Sequence, residues 1–479
     1  MAEEIRLTAG WVAEAMAGTI VGGDSRQVFA GVSIDSRTLR AGELYVGIVG
    51  ARFDGADFAS GAVAAGAAGI VVARERAPAA VAEPGGPPPA VAKAAHVVIA
   101  VDDTTVALQA LARAVRMASG TKVVAITGSA GKTTTKEVTA EFLGAKYRVI
   151  RNRGNFNNHI GLPLSLIELT ARPDVAVVEL GMNHAGEIST LVRIAEPDVR
   201  VWTNVGDAHL GFFASVDAIA DAKAEILERA TAATVLVANA DDDRIVARTS
   251  SFAGRRVTFG IERPAEVRAE AVADRGIDGM SARVTTRRGS IDLTTPLVGR
   301  GNLANVLAAI AVGIEFDVPL ATMADLGSQL RPASRRGEIV RLAKGVTVID
   351  DSYNASPAAT RRALDVLRMT SGAGRRVAVL GEMLELGDRA IALHEDVGRA
   401  AAAARLDLLL TVGGEAAGAL ADAAVAGGLA RERTRHVATS DEAAEASASL
   451  VRPGDLVLVK GSRGVRTDKV VDRLKAEFA

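Results

Sequence analysis

The sequence predicts an α/β protein of about three domains, and three observations carry that expectation. Short β-branched runs such as "VVAIT", "VAVVEL" and "TVLVAN" alternate with stretches whose apolar residues recur at helical spacing, the pattern of a parallel sheet covered by helices. A glycine-rich turn, "TGSAGKTT", falls between one of these strands and the helix after it. The last third repeats the alternation, with "VTVIDDS", "RVAVLGEM", "DLLLTVGG" and "DLVLVKGS" as strands that end in glycine or polar residues. At 479 residues the chain has the length for such a division.

The elements divide as follows. Residues 1–103 form a small α/β unit, in which "VFAGVSIDSRTLRAGELYVGIVG" and "AAGIVVARE" supply strands and the proline-rich "RAPAAVAEPGGPPPAVAK" reads as an exposed loop. Residues 104–329 form a central parallel-sheet unit with strands at "VVAIT", "YRVI", "VAVVEL", "VRVWTN" and "TVLVAN". A β-rich stretch, "RAEAVADRGIDGMSARVTTRRGSIDLTTP", follows, and then a helix from about Asn302. Residues 330–479 read as a doubly wound, Rossmann-like domain, whose ligands gather at the carboxyl ends of the strands.

Composition excludes several functions. A net charge of −1 gives no bulk attraction to nucleic acid or anionic membranes. The chain has no cysteine, so disulfides and thiolate metal sites are ruled out, which fits a reducing cytoplasm. The acidic start "MAEEIRLTAGW" is unlike a signal peptide, and no uninterrupted apolar run is long enough to cross a bilayer. The expectation is a cytoplasmic protein, monomeric, with no nucleic-acid partner.

The stretch "AITGSAGKTTTKEV" carries the first chemistry. A helix that starts from a glycine turn presents free N–H groups and a positive dipole end, which favour phosphate. Gly128, Ser129, Ala130, Gly131, Lys132, Thr133 and Thr134 would wrap the phosphates, with Lys132 as a mobile cation and the Thr133 hydroxyl as a magnesium ligand. The longer G-x-x-x-x-G-K-[ST] pattern wants glycine where Ile126 stands, so this is the shorter T-G-x-x-G-K-T form. The alternative is a glycine turn with no ligand.

Other polar residues fall at strand ends. Glu179 closes "VAVVE", where its carboxylate could bind Mg²⁺ beside Thr133, or cap a helix. His209 follows the next strand and Lys223 sits on "DAIADAKAEIL"; taken singly, such a histidine is more often structural and such a lysine is usually on a solvated face.

Taken together, T-G-x-x-G-K-T, the glutamate strand end, "NVGDAHL" with "AKAEIL", and "GNLANVLAAIAVG" resemble the Mur ligase family, ATP-dependent enzymes that add amino acids to a cell-wall precursor. "IDDSYNASPAATRRAL", "GEMLELGDRAIALHEDVG" and "VKGSRGVRTDKVV" narrow the resemblance to members that join D-alanyl-D-alanine to UDP-N-acetylmuramoyl-tripeptide. The D-N-P-R motif typical of the tripeptide-forming relatives is absent. The resemblance spans essentially the whole chain. It implies ATP and Mg²⁺, with Thr133 and Glu179 on one metal, and His209 and a CO₂-carbamylated Lys223 on a second. A carbamate supplies an anionic oxygen where an ammonium would repel the ion.

The resemblance also implies that Asn302 and Asn305 meet the adenine. Arg336 would reach the phosphates, although Arg335 stands where the family's G-R-G-E has glycine, so the pairing could be off by one. Asp351 would contact the nucleotide from the third domain; its alternative is a cap on the helix that begins near Pro357, a role open also to Ser352 or Asn354. Ser36 and Arg37 resemble contacts to the uridine diphosphate, while Ala56 replaces a histidine in D-G-H-x-F. Asn155, Asn157 and Asn158 would line the reaction site, and as asparagines they equally suit a local turn. Tyr353, Asn354, Ser356, Lys460, Ser462 and Arg463 could grip a carboxylate or a peptide in the domain that takes the incoming dipeptide; the alternative for "KGSRG" is an ordinary strand-to-loop exit.

Overall fold

A computed structural model describes residues 4–50, 52–77, 96–152, 154, 156–207, 210–372 and 374–479. Most of the proline-rich stretch, together with Asn155 and His209, lies outside the described residues. Close contacts group the chain into two units, Met1–Ala125 with Tyr147–Met182 and Gly186–Val199, and Ile126–Lys146 with Asn183–Ala185 and Arg200–Ala479.

In the first unit, β1 (Thr19–Gly22), β2 (Val32–Ser33), β3 (Leu44–Val46), β4 (Gly69–Ala73) and β5 (Val97–Val101) form a sheet in the order β1-β5-β4-β3-β2. All its neighbours are parallel except the edge pair β1–β5. Both β4 and β5 are buried along their whole length, as their unbroken apolar runs require. Helix α1 (Thr104–Ser119) starts where the Asp103 carboxylate accepts from the N–H groups of Thr105 and Val106, at 2.7 and 2.9 Å. It stops at Gly120, whose φ of +69° suits a left-handed cap. Strand β6 (Lys122–Thr127) begins in this unit, with β7 (Val149–Arg151) and β8 (Val175–Glu179) beside it in the order β6-β8-β7.

The second unit takes β6 onward from Ile126 into α2 (Lys132–Gly144). It continues through β9 (Val199–Trp202), α3 (Val216–Ala224), β10 (Val235–Asn239) and β11 (Arg255–Gly260). The β-rich stretch becomes β12 (Val267–Asp274), β13 (Met280–Thr286) and β14 (Gly289–Thr295), giving the order β14-β13-β12-β11-β10-β9-β6. Pairs β10–β11 and β11–β12 are parallel, and the last two pairs are antiparallel. Helix α4 (Arg300–Glu315) is buried along most of its length and packs on α2.

The last third forms its own sheet. Strands β15 (Glu338–Arg341), β16 (Thr347–Asp351), β17 (Arg376–Gly381), β18 (Leu408–Val412), β19 (Thr434–Val437) and β20 (Leu456–Lys460) run in the order β15-β16-β20-β17-β18-β19. Only β15 is antiparallel to its neighbour. Helices α5 (Pro357–Met369) and α6 (Ala390–Ala403) connect into this doubly wound sheet. The α/β class and the doubly wound final domain expected from the sequence are the architecture observed. Asp351, Glu382 and Lys460 gather at the carboxyl ends of its parallel strands.

Candidate active site

The glycine turn takes the shape that its residues allow. Gly128 and Gly131 have φ of +152° and +82°, values that side chains rarely adopt. Each is also crowded: a Cβ on Gly128 would strike Thr203 Oγ1, and one on Gly131 would strike Asn305 Oδ1. Asn204 holds the turn open from β9's end. Its Oδ1 accepts from the Ala130 N–H at 2.9 Å, and its Nδ2 donates to the Ala130 carbonyl at 2.9 Å. Ser129 is fixed by the Gly206 N–H donating to its hydroxyl at 2.8 Å. Lys132 opens α2, and its ammonium donates to the Gly128 carbonyl at 2.7 Å, so the cation lies over its own loop. On the other side, Asn302 and Asn305 share one face of α4, joined by an Nδ2-to-Oδ1 bond of 3.2 Å. The turn is therefore braced for an anion, with a lysine and a helix N-terminus beside it.

Lys223 is buried, with 2% of its surface exposed, although its helix reads as amphipathic. Burial, and then the neighbouring charge of Lys132, push its pKa well below the usual lysine range. No ion pair reaches it among the described residues. Burial here disfavours the ammonium and favours the uncharged amine.

In the first unit, Glu179 is buried at the end of β8. Its N–H donates to Asn152 Oδ1 at 3.1 Å, and its Oε1 accepts from Asn157 Nδ2 at 2.6 Å. Asn157 thus orients the carboxylate. Asn158 does something different: its Oδ1 accepts from the Ile160 and Gly161 N–H groups, at 3.2 and 2.8 Å, in a local turn.

The third sheet pairs two residues that the sequence reading placed in separate roles. Lys460 is 3% exposed, and its ammonium donates to Asp351 Oδ2 at 2.6 Å and to the Asn354 carbonyl at 2.9 Å. Asp351 does not cap α5. The cap position is Ser356, without a side-chain bond, and the Ala358 N–H donates to the distant Asp207 Oδ1 at 3.3 Å. Arg335 has φ of +62°, which explains why glycine suits that place, and its guanidinium binds Asp468 at 2.9 Å. Arg336 lies with its guanidinium carbon 3.9 Å from the centre of the Tyr353 ring, and Arg463 lies 5.9 Å from the same ring. Ser462 is buried, and its hydroxyl accepts from the Leu384 N–H at 2.9 Å.

The N-terminal sheet carries a pocket of about 420 Å³, lined by Ile34, Tyr45, Ile48, Arg52, Phe53 and Phe58 among others. Phe53 and Phe58 meet edge to face, with ring centres 6.3 Å apart. Ser36 and Arg37 are not among its lining residues. Arg37 instead pairs with Asp35 at 2.7 Å, and this bond holds the Asp35 carboxyl down to about 2.

Three family models match along the chain: "Mur ligase family, catalytic domain" over residues 28–116, "Mur ligase middle domain" over 126–313, and "Mur ligase, glutamate ligase domain" over 335–463. The chain is 33% identical over 471 residues, 98% of each chain, to the UDP-N-acetylmuramoyl-tripeptide--D-alanyl-D-alanine ligase of Bacillus subtilis. The chain belongs to the Mur ligase family. Among solved structures it resembles MurF from Acinetobacter baumannii, with a TM-score of 0.85 and 29% identity over 99% of this chain and all of that one. It also resembles MurF from Thermotoga maritima in complex with ADP, with a TM-score of 0.79 and 28% identity over 94% of this chain and 97% of that one.

Several residues that make these contacts were not singled out by sequence reasoning. Thr203 and Asn204 brace the phosphate turn, Asn152 holds the Glu179 backbone, and Asp207 reaches α5. A polar pair directly after an apolar strand, as in "VWTN", is the signal that could have found the first two.

Proposed function

We propose that this chain is an ATP-dependent, ADP-forming amide ligase that joins D-alanyl-D-alanine to UDP-N-acetylmuramoyl-tripeptide, in the cytoplasm and as a monomer. The observation that carries the proposal is the whole-chain likeness to ligases of that name, whose length this chain matches almost completely. The chemistry requires activation, because a carboxylate does not acylate an amine unaided. The peptide carboxylate attacks the γ-phosphorus of ATP, giving an acyl phosphate and ADP. The dipeptide amine then attacks the acyl carbon, and phosphate leaves.

The roles assigned to residues follow the family pattern. Residues 1–103 hold the uridine nucleotide, with Ser36 and Arg37 on the diphosphate. Residues 104–329 hold ATP: the turn from Gly128 to Thr134 wraps the phosphates, Lys132 neutralises the transferring group, and Asn302 and Asn305 face the adenine. Residues 330–479 hold the dipeptide through Tyr353, Asn354, Ser356, Lys460, Ser462 and Arg463. Arg336, which meets no carboxylate among the described residues, is the better choice than Arg335 for the phosphates, since Arg335 is engaged by Asp468. Asp351 orients Lys460 and approaches the nucleotide from the same side.

The hydroxyl and carboxylate oxygens of Thr133 and Glu179 suit Mg²⁺, a hard cation that takes oxygen ligands. Thr133 and Glu179 would hold one ion, and His209 with Lys223 a second; when bound, the ions offset charge on the transferring phosphoryl group. Lys223 suits this only as a carbamate. Its lowered pKa favours the neutral amine, whose nitrogen adds to the carbon of CO₂ with loss of one proton. Asn157 keeps the Glu179 carboxylate in one orientation.

A coupled phosphate-release assay with ATP, D-Ala-D-Ala and a panel of UDP-muramoyl-peptides tests the proposal. The expected result is release that needs both the tripeptide nucleotide and the dipeptide. Equal release without either acceptor substrate would overturn it.

A further inference from the structure

A buried histidine outside these assignments connects two of the loops just described. His394 on α6 is fully buried. The Met383 N–H donates to its Nε2 at 2.9 Å, and its Nδ1 meets the Ala390 carbonyl, one helical turn back, at 2.7 Å. A backbone N–H can only donate, so Nε2 is the acceptor, Nδ1 carries the proton and the ring is neutral. With both nitrogens satisfied in a dry setting, the ring has one orientation.

Met383 lies in the segment 382–387 that follows β17, and this segment meets three other parts of the second unit. The Thr360 hydroxyl of α5 donates to Met383 Sδ at 3.6 Å. The Ser462 N–H donates to the Glu382 carbonyl at 3.2 Å, and the Leu384 N–H returns a bond to Ser462 Oγ at 2.9 Å. The Gly211 N–H donates to the Glu385 carbonyl at 2.8 Å, in the loop that follows Asp207. The backbone here is constrained: Glu385 has φ of +64° and Gly387 has φ of +56°. A Cβ on Gly387 would come within 2.9 Å of Gly211 Cα, so the two strands of this contact approach backbone to backbone.

We propose that His394 is a positioning residue for the ligation: by holding the Met383 N–H, it fixes segment 382–387 as a strap between the loop at Gly211 and the loop at Ser462. The role in ligation rests on the function proposed above; the strap itself rests on the contacts. His394 touches no reacting group and acts through Met383. The loops that the strap joins carry Asp207 on one side and the proposed dipeptide grip on the other. A shift of about 1 Å between groups that must meet can lower the rate about a hundredfold.

The experiment compares His394→Leu, which offers no acceptor, with His394→Gln, whose amide oxygen can reach the Nε2 position. Steady-state ligation and backbone amide exchange over residues 382–387 are measured on the full-length protein. The Leu variant is expected to raise KM for D-Ala-D-Ala or lower kcat by about tenfold or more, with KM for ATP within about twofold, and the Gln variant to recover most of the loss. Exchange at Met383 and Leu384 should quicken in the Leu variant and stay slow in the Gln variant. If the Leu variant does not fold, His394→Asn, whose shorter amide reaches only the Nδ1 position, takes its place. A folded Leu or Asn variant with wild-type kinetics and wild-type exchange overturns the proposal. If the wild type itself does not ligate, the functional reading has failed. The exchange measurement then decides the strap alone, with unchanged exchange counting against it.

Discussion

Two lysines lie equally deep in the second unit, and their surroundings differ. Lys460 ends a strand at 3% exposure with a carboxylate 2.6 Å away. Lys223 sits on a helix at 2% exposure, and no ion pair reaches it among the described residues. A buried ammonium is tolerable only with a counter-charge, so Lys460 is a cation held in place. Lys223 faces desolvation and a neighbouring cation, which together favour its uncharged form. One site is complete as it stands. The other is destabilising as an ammonium and becomes sensible once the nitrogen takes part in chemistry. Burial of a lysine is therefore uninformative until its partner is known.

The strongest way to break this contrast is to remove the amine. Lys223→Ala is expected to lose about a hundredfold or more in kcat, the scale for removing a group that stabilises charge at a transferring phosphoryl. Its melting temperature should fall only by what the vacated buried space costs, because no ion pair among the described residues is lost. A short carboxylic acid in the buffer should restore part of the rate by supplying oxygen ligands. Lys132→Ala should lose a similar amount and show no such rescue, since it lacks a cation. Native mass spectrometry should find one added CO₂ on the wild type at Lys223. Full activity in Lys223→Ala, or equal rescue of both variants, would return Lys223 to an ordinary buried lysine.

Stability should separate the same two positions in the opposite sense. Lys460→Met leaves Asp351 facing an apolar chain and should cost about 3 kcal/mol, the low end for a broken buried pair, because Asp351 retains some access to water. Lys223→Met replaces an unpaired buried amine with an apolar chain of similar volume and should be neutral or stabilising. Chemical denaturation of the two variants gives the comparison directly. A larger loss for Lys223→Met would mean that a partner has been overlooked.

The sequence revealed the phosphate turn more fully than either lysine, for a physical reason. The turn is local: strand, glycines, lysine and helix follow one another, and backbone geometry demands them in that order. Gly131 even predicts a close neighbour, and Asn305 occupies that space. Lys223 could not be read this way, because "DAIADAKAEIL" has the spacing of an amphipathic helix whether its lysine points outward or inward. The Lys460–Asp351 pair joins two strands 109 residues apart, and its two members were assigned to different substrates. The cap on α5 was sought among its neighbours Asp351, Ser352 and Asn354, yet Asp207, 151 residues away, approaches its first turn. Arg335 illustrates the converse. A departure from the family's glycine marked the place, and its φ of +62° shows what glycine would have eased.

Asp207 offers a smaller test, because its bonds are long and partly exposed. Its Oδ1 and Oδ2 lie 3.3 Å from the Ala358 nitrogen and 3.4 Å from Arg361 Nη2. A charge at a helix N-terminus with one partly exposed ion pair is worth about 1 kcal/mol. Asp207→Ala is therefore expected to lower kcat/KM for the dipeptide by roughly fivefold. The effect should shrink in high salt, which screens such pairs. A loss as large as that of Lys223→Ala would place Asp207 in the chemistry itself.

The last expected effect is read in stability and not in rate, and it belongs to the protonation of His394, a third buried base and a counterpart to Lys223. Burial lowers its pKa below the ordinary histidine value, while its bond to the Ala390 carbonyl and the charge of Glu382 oppose that shift. Because the fold favours the neutral ring, His394 contributes stability that is present above a pH of about 6.5, the unfolded value, and is lost as pH falls through the lowered folded value. The loss should be about 1 kcal/mol, the scale of one hydrogen bond, since protonation of Nε2 removes the acceptor for the Met383 N–H. Thermal unfolding of wild type and His394→Gln between pH 5 and pH 8 isolates this contribution, because an amide does not titrate. The wild type should be the more stable near pH 8 and lose that advantage on the acid side. Parallel curves for the two proteins would show that the ring's protonation is not linked to folding. Lys223 would then be left as the buried base whose neutral form the structure favours.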